Sequence, residues 1–107
     1  MAKYLTHQEA NEAGFSFTHR EDESRFVLTK DEKVLGFARY TADSNQNIDF
    51  DSTFVDPKLR ESGLAGLLVQ TAVGSDIVKN RNVKASCWFV EGILSKHPEY
   101  LAEGAIF

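Results

Sequence analysis

The chain has 107 residues, of which 42% are hydrophobic and 26% are charged, and this is the composition of an ordinary globular protein with room for a single domain, residues 1–107. Its net charge of −4 and its scattered Lys and Arg residues exclude a general nucleic-acid binder, because affinity for a polyanion depends on clustered cations. No apolar run approaches the roughly 18 residues that span a bilayer, and the first residues lack the apolar segment of a signal peptide, so we expect a cytoplasmic protein without a membrane partner.

The first part of the chain allows two readings. Residues 7–13 contain good helix formers between Thr6, a favourable N-cap residue, and Gly14, a favourable stop, which predicts a short helix. Phe15 and Phe17 alternate with polar residues and equally predict the start of a strand.

Residues 25–55 predict three consecutive strands. Residues 25–29 and 34–41 are rich in strand formers and flank a polar turn, so they form a hairpin. A second polar turn leads to a third strand over 48–55. Strict alternation in this strand places Asp49 and Asp51 on one face and the following residues on the other: Ile48, Phe50, Ser52 and Phe54.

The second half of the chain predicts a crossover. A largely apolar helix over 63–80 leads to a fourth strand over 83–89, which should lie parallel to the third strand. A short helix over 89–96 ends before Pro98, and the apolar residues of 99–107 pack or fray. The fold class is therefore α+β, a mostly antiparallel sheet that ends in a strand–helix–strand crossover.

The stretch from Val55 to Val69 carries the strongest functional signal. It joins the end of a strand to an apolar helix through the Asp56-Pro57 turn and a loop that contains Gly63. Backbone N–H groups at a helix start lack intrahelical acceptors, and the helix dipole favours negative charge there. The stretch thus predicts a site for a diphosphate, and the alternative is a plain connection between strand and helix.

Cys87 is the only cysteine, which excludes an internal disulfide, and the sequence has no Cys or His cluster that predicts a metal site. The residue is either a small apolar filler on a buried strand or a working thiol. His7 and His19 have no evident partner, and His97 is more typical of a helix end than of a catalytic site.

Three motifs resemble the small single-domain YjdJ-like branch of the GNAT superfamily of N-acetyltransferases. They are Thr53-Phe54-Val55-x-Pro57-x-Leu59-Arg60-x-x-Gly63-Leu64-Ala65, then Ser86-Cys87-x-Phe89-Val90, then Lys96-His97-Pro98-Glu99-Tyr100. The resemblance covers about half of the chain. It implies a GNAT-like fold in which the third and the last strands separate to form an acetyl-CoA cleft.

The resemblance also implies roles for individual residues. Val55 would pair with the pantetheine arm, and the diphosphate would bind the main chain of six consecutive residues: Arg60, Glu61, Ser62, Gly63, Leu64 and Ala65. Cys87 would lie near the cofactor's sulfur, either as the acid that protonates the leaving CoA thiolate or as an acetyl-accepting nucleophile.

Two positions depart from the family pattern. Glu61 occupies the place of a second glycine, and Ser52 occupies the place of a histidine that would serve as base. Asp51 is the carboxylate nearest to that vacant position, and it is the substitute that we expect.

These features predict transfer of an acetyl group from acetyl-CoA to a small-molecule or peptide amine, by direct transfer in a ternary complex. The protein would be a monomer or weak homodimer and would need no metal. The alternative is a CoA- and acetyl-CoA-binding module without efficient catalysis, which acts as a sensor or interaction partner.

Overall fold

The computed structural model describes residues 2–107 and contains one five-stranded sheet with the strands in chain order. Three helices accompany the sheet, and four short 3-10 turns lie in the connections. The strands are β1 (Ser16–Arg20), β2 (Arg25–Lys30), β3 (Lys33–Ala42), β4 (Asn47–Val55) and β5 (Asn82–Lys84), and the helices are α1 (His7–Glu12), α2 (Leu64–Val73) and α3 (Trp88–Lys96). The predicted α+β class is confirmed.

Both readings of the N-terminal segment hold, one after the other. Thr6 caps α1 by accepting from the Glu9 amide, while the Glu9 carboxylate accepts from the Thr6 amide. His7 then fastens α1 to α2, because its Nε2 lies 3.0 Å from the Leu67 carbonyl and 2.8 Å from the Thr71 hydroxyl. The chain continues into β1, at one edge of the sheet.

The first four strands pair antiparallel and the last two pair parallel, as predicted. The predicted faces of β4 are partly wrong, because Arg39 pairs with Ser52 while Tyr40 pairs with Phe50. Asp51 is therefore the extra residue of a β-bulge, and a bulge shifts all later side chains to the opposite face. Ile48 and Phe50 lie in the core, whereas Ser52 and Phe54 face the open side of the sheet, where Phe54 is 48% exposed.

Helix α2 covers the core face of the sheet. Its apolar residues surround the axis because the helix lies between the sheet and the elements that follow it, and six are buried: Leu64, Leu67, Leu68, Val69, Ala72 and Val73. The predicted helix over 63–80 is too long. It ends at Val73, with Gly74 as its C-cap, and the Val73 carbonyl accepts from the Ala102 amide at 3.0 Å, so the C-terminal segment completes this helix end.

The predicted fourth strand over 83–89 is also too long. It ends at Lys84, and Trp88 and Phe89 already belong to α3. Two hydrogen bonds turn the chain away from the sheet, because Asp49 accepts from the amide of Ser86 at 2.9 Å and from its hydroxyl at 2.7 Å. The C-terminal segment packs rather than frays, with Ile106 bridged to Asn82 at the edge of β5.

Candidate functional site

The edge of β4 loses its parallel partner halfway along the strand. Parallel pairing covers only the first three residues of β4, from Asn47 to Asp49. The Phe50 carbonyl then accepts one last bond, from the Cys87 amide at 3.0 Å. Beyond that point the bulge bends β4, and the segment after β5 continues into α3. The two segments therefore separate, as the resemblance implies.

The backbone of β4 offers unpaired polar groups to this gap. The Asp56 amide donates to the Leu35 carbonyl at 2.8 Å, so the backbone N–H group of Asp56 points toward β3. Because antiparallel strands alternate the direction of successive residues, the N–H and C=O groups of Val55 and Thr53 are directed at the opposite edge, toward the gap.

The gap forms a cleft of about 490 Å³, which we call the β4 cleft. It brings together four of the predicted site residues, Val55, Arg60, Ala65 and Cys87. The remaining lining residues were not predicted as site residues: Thr53, Phe54, Trp88 and Phe89. Trp88 is 81% exposed at the start of α3.

The loop before α2 leaves several amides free. The amides of Arg60, Ser62 and Leu64 donate within the loop, to the Pro57 carbonyl, the Leu59 carbonyl and the Ser62 hydroxyl. The other four amides of residues 60–66 donate to no acceptor among residues 2–107: those of Glu61, Gly63, Ala65 and Gly66. The side chains of Ser62 and Leu64 are buried and their amides are already paired, so these two residues offer a ligand neither a side chain nor a free amide.

Gly63 is required by its backbone conformation and by a close main-chain contact. Its φ of 88° lies in the left-handed region, and a Cβ there would lie only 2.5 Å from the Tyr4 carbonyl oxygen. The N-terminal segment thus fills the space in which a Gly63 side chain would lie, and it is fixed by the Tyr4 amide, which donates to the Ser62 carbonyl at 2.7 Å. The open position is Gly66, where an added Cβ would meet nothing within 4 Å.

Glu61 also has left-handed backbone, with a φ of 64°. This is the position at which the family pattern has glycine, and glycine adopts such a conformation without strain. The glutamate side chain is exposed, so its charge lies at the surface beside the free amides.

Cys87 lies outside the strand on which we placed it. It is the N-cap residue of α3, and its side chain is partly buried in the β4 cleft. Its thiol donates to the Thr53 hydroxyl at an S···O distance of 3.5 Å. Thr53 is the partner that sequence reasoning missed, although it opens the first of the three motifs.

Asp51 and Cys87 have no hydrogen-bond partner in common among residues 2–107. Its carboxylate accepts from Arg39 Nε at 2.9 Å and from the Thr41 hydroxyl at 2.9 Å. Both partners belong to β3 and face the open side of the sheet, like Ser52. Asp51 is not among the residues that line the β4 cleft.

A second groove adjoins the loop on its other side, and we call it the α2–α3 groove. Its volume is about 270 Å³, and nine residues line it: Tyr4, Leu5, Gly63, Gly66, Leu67, Gln70, Ile93, His97 and Tyr100. A further depression of about 470 Å³ lies between Thr41 and Lys84 and contains none of the predicted catalytic or cofactor residues.

Two structural observations concern other classes of site. Among residues 2–107, no group of three His, Cys, Asp or Glu side chains is arranged to hold a metal ion. In the same part of the chain, every helix is too short or too polar to cross a membrane.

Comparison with known families gives a match over most of the chain. A family model described as GCN5-related N-acetyl-transferase matches residues 25–103, which include β2 to β5, the loop before α2, Cys87 and the whole of α3. A comparison with curated proteins found no match. The match confirms the superfamily that the three motifs indicate, and the YjdJ-like branch stays a prediction. This chain belongs to the GCN5-related N-acetyltransferase family.

Proposed function

We propose that this protein transfers an acetyl group from acetyl-CoA to an amine within a ternary complex. The observation that carries the proposal is the loss of pairing at the edge of β4, which opens the β4 cleft next to a helix start with free amides. Family membership supports acyl transfer as the reaction class. A cytoplasmic location and the YjdJ-like branch belong to the same proposal.

The residues of this region suit an acetyl-CoA molecule. The amides of Gly63, Ala65 and Gly66 lie at the N-terminus of α2, where free N–H groups and the helix dipole favour a diphosphate. Pantetheine contains peptide-like amides, which would pair with the free edge of β4 at Thr53 and Val55 as an added strand does. Arg60, which lines the cleft, would supply a positive charge to the phosphates.

Cys87 would complete the reaction as a general acid. The amine nitrogen attacks the thioester carbonyl, a C–N bond forms, and the C–S bond then breaks. The Cys87 thiol gives its proton to the departing sulfur, and the proton lost by the amine restores the thiol through water. Thr53 would hold the thiol in place, and an N–H group of β4 near Val55 would polarise the carbonyl.

The acceptor would approach past two exposed aromatic side chains, Phe54 and Trp88, which line the β4 cleft. Holding amine and thioester together would supply much of the rate enhancement through proximity. A small-molecule amine or an exposed peptide amine fits an opening of this kind. Asp51 would accept the amine's proton only through water, because its partners are Arg39 and Thr41.

The position of Asp51 also favours the second candidate function, a CoA-binding module without efficient catalysis. The carboxylate is held by β3 on the open side of the sheet, and Ser52 occupies the place of the family's histidine. Such a module would bind CoA and acetyl-CoA equally and would not turn over.

Thermal unfolding with acetyl-CoA and CoA tests binding first. Ligand at a hundred times its Kd should add about 2.7 kcal/mol to the free energy of unfolding. Release of free CoA thiol with a panel of amines then tests turnover. Absence of both the shift and turnover would refute the proposal, whereas a shift without turnover would favour the binding module.

Cys87→Ala tests the role of the thiol. We expect it to bind acetyl-CoA like the wild type and to lose turnover, because it removes the acid and leaves the loop intact. Thr53→Val serves as a matched variant that keeps the thiol and removes its hydrogen-bond partner. Normal turnover by Cys87→Ala would contradict the assigned role.

A further inference from the structure

The N-terminal segment, residues 2–6, contacts the loop before α2 through main-chain atoms. The Tyr4 amide donates to the Ser62 carbonyl at 2.7 Å, and no other donor among residues 2–107 bonds that carbonyl. The Tyr4 carbonyl lies so close to Gly63 that it would clash with an added Cβ. The segment lies outside residues 25–103, which the family model matches. A part of the chain that the family match does not include therefore holds the loop with the free amides.

Further contacts keep this segment in place. The amides of Leu5 and Thr6 donate to one oxygen of the Glu9 carboxylate, at 2.9 and 3.1 Å. The Tyr4 ring packs edge-on against the ring of Phe15, with 5.5 Å between the centroids. Helix α1, which follows directly, is itself hydrogen-bonded to α2. The segment is thus held at a defined position beside the start of α2.

The contact with Tyr4 determines the direction of a free amide. Because the peptide group between Ser62 and Gly63 is planar and trans, its C=O and N–H groups point in opposite directions. The bond that directs the Ser62 carbonyl at Tyr4 therefore directs the Gly63 amide away from the N-terminal segment. Glu61, just before this peptide, has a φ of 64°, and a non-glycine residue keeps such a conformation only where surrounding contacts hold it.

We propose that Tyr4 is a positioning residue for acetyl-CoA, because it fixes the 62–63 peptide in the orientation that presents the Gly63 amide to the diphosphate. This inference rests on the proposed function, which places the diphosphate at the start of α2. Tyr4 acts through the loop and not by contact with the ligand. Without its hydrogen bond the peptide can rotate, and part of the binding energy would then be required to restore its orientation.

Proline substitution tests the hydrogen bond, because proline has no N–H group. Tyr4→Pro removes the amide and the ring, and Tyr4→Ala removes the ring alone. Lys3→Pro is the matched control, since the Lys3 amide donates to no acceptor among residues 2–107. The net contribution of one hydrogen bond corresponds to about tenfold in an equilibrium constant. In calorimetric titrations we expect Tyr4→Pro to bind acetyl-CoA about tenfold more weakly than Tyr4→Ala, and Lys3→Pro to bind it like the wild type.

Titration with S-acetylpantetheine separates positioning of the loop from a general loss of structure. This compound lacks the diphosphate, so Tyr4→Pro and Tyr4→Ala should bind it with the same Kd. Equal affinity of the two variants for acetyl-CoA would overturn the inference. An equal loss for S-acetylpantetheine would also overturn it, because the effect of the amide would then not depend on the diphosphate.

Hydrogen exchange in the wild type tests the same coupling without a substitution. Coupling is reciprocal, so if the Tyr4 bond favours acetyl-CoA binding, bound acetyl-CoA favours the Tyr4 bond by the same factor. We expect the Tyr4 amide to exchange about tenfold more slowly at saturating acetyl-CoA, and the Lys3 amide to exchange at an unchanged rate. An unchanged rate at Tyr4 would overturn the inference even if Tyr4→Pro did not fold. If the wild type binds no acetyl-CoA, the proposed function fails and this inference fails with it.

Discussion

Two glycines allow a direct test of where the diphosphate binds. An added Cβ would meet no atom within 4 Å at either Gly66 or Gly92, so both positions accept a side chain without a clash. Gly66 lies in the first turn of α2 beside the free amides, whereas Gly92 lies on the exposed side of α3 and lines neither groove. Gly66→Glu and Gly92→Glu therefore introduce the same charge at a ligand site and at a control site.

The new glutamate should raise the free energy of unfolding at both positions, but at Gly66 it should weaken acetyl-CoA binding. Replacing a helical glycine by glutamate should stabilise the ligand-free protein by about 0.5 kcal/mol at either position. At Gly66 the new carboxylate also lies near a helix N-terminus, which adds about 0.3 kcal/mol or more. A carboxylate about 5 Å from a bound phosphate would repel it by about 1 to 3 kcal/mol, equivalent to about 5-fold to 150-fold in Kd.

The assay is calorimetric titration with acetyl-CoA, together with thermal unfolding with and without it. Both variants should unfold at or above the wild-type temperature without ligand. Gly92→Glu should keep the wild-type Kd, and Gly66→Glu should lose most of its affinity, more at low than at high ionic strength. Equal affinity of the two variants would refute the placement of the diphosphate at the start of α2.

Three further predictions follow from single positions. Glu61→Gly should tighten acetyl-CoA binding several-fold at low salt, because it removes a negative charge near the phosphates, and Glu61→Gln should do the same. Only Glu61→Gly should also stabilise the ligand-free protein, because it removes the cost of a side chain at a φ of 64°; an unchanged Kd in both variants would contradict the charge effect. Gly36→Ala should lower the free energy of unfolding by about 1 to 3 kcal/mol in urea, because its Cβ would lie 2.7 Å from the Phe54 carbonyl oxygen; unchanged stability would show that β4 yields freely. Hydrogen bonds from the side chain and amide of Asn47 lower the pKa of Asp43 in the folded protein. This carboxylate therefore contributes stability at pH values above its unfolded pKa of about 4. It loses that contribution as the pH falls through its lower folded pKa. The difference in Tm between wild type and Asp43→Ala should therefore shrink on acidification to about pH 3, and a constant difference would contradict the assignment.

Local patterns were sufficient to predict most of the sheet. Period-two alternation and polar turns located β2, β3 and β4 to within about two residues, and the crossover rule gave the parallel direction of β5. The free helix start before α2 also follows from sequence, because the Asp56-Pro57 turn and Gly63 interrupt the chain just before an apolar run.

The errors occurred where distant residues decide local structure. The bulge at Asp51 leaves no mark on the alternation of β4, since an extra residue is defined only by its partners on β3. The early end of β5 depends on Asp49, which lies 37 positions away from Ser86. The proximity of Tyr4 to Gly63, which gives that glycine its structural role, is equally a contact between distant segments.

The same long-range contacts build the β4 cleft and fix the position of its thiol. Phe50 accepts from the amide of Cys87 while Asp49 accepts from the residue before it, so the main chain at Cys87 is held on two sides. The bulge directly after Phe50 then bends β4 at the point where its parallel pairing has ended. Because these bonds join only residues of the chain itself, the proposal treats the cleft as preformed, and binding of acetyl-CoA would then require little of its energy for rearrangement. The free energy of binding would then be available to hold the thioester against the acceptor, which is what direct transfer in a ternary complex requires.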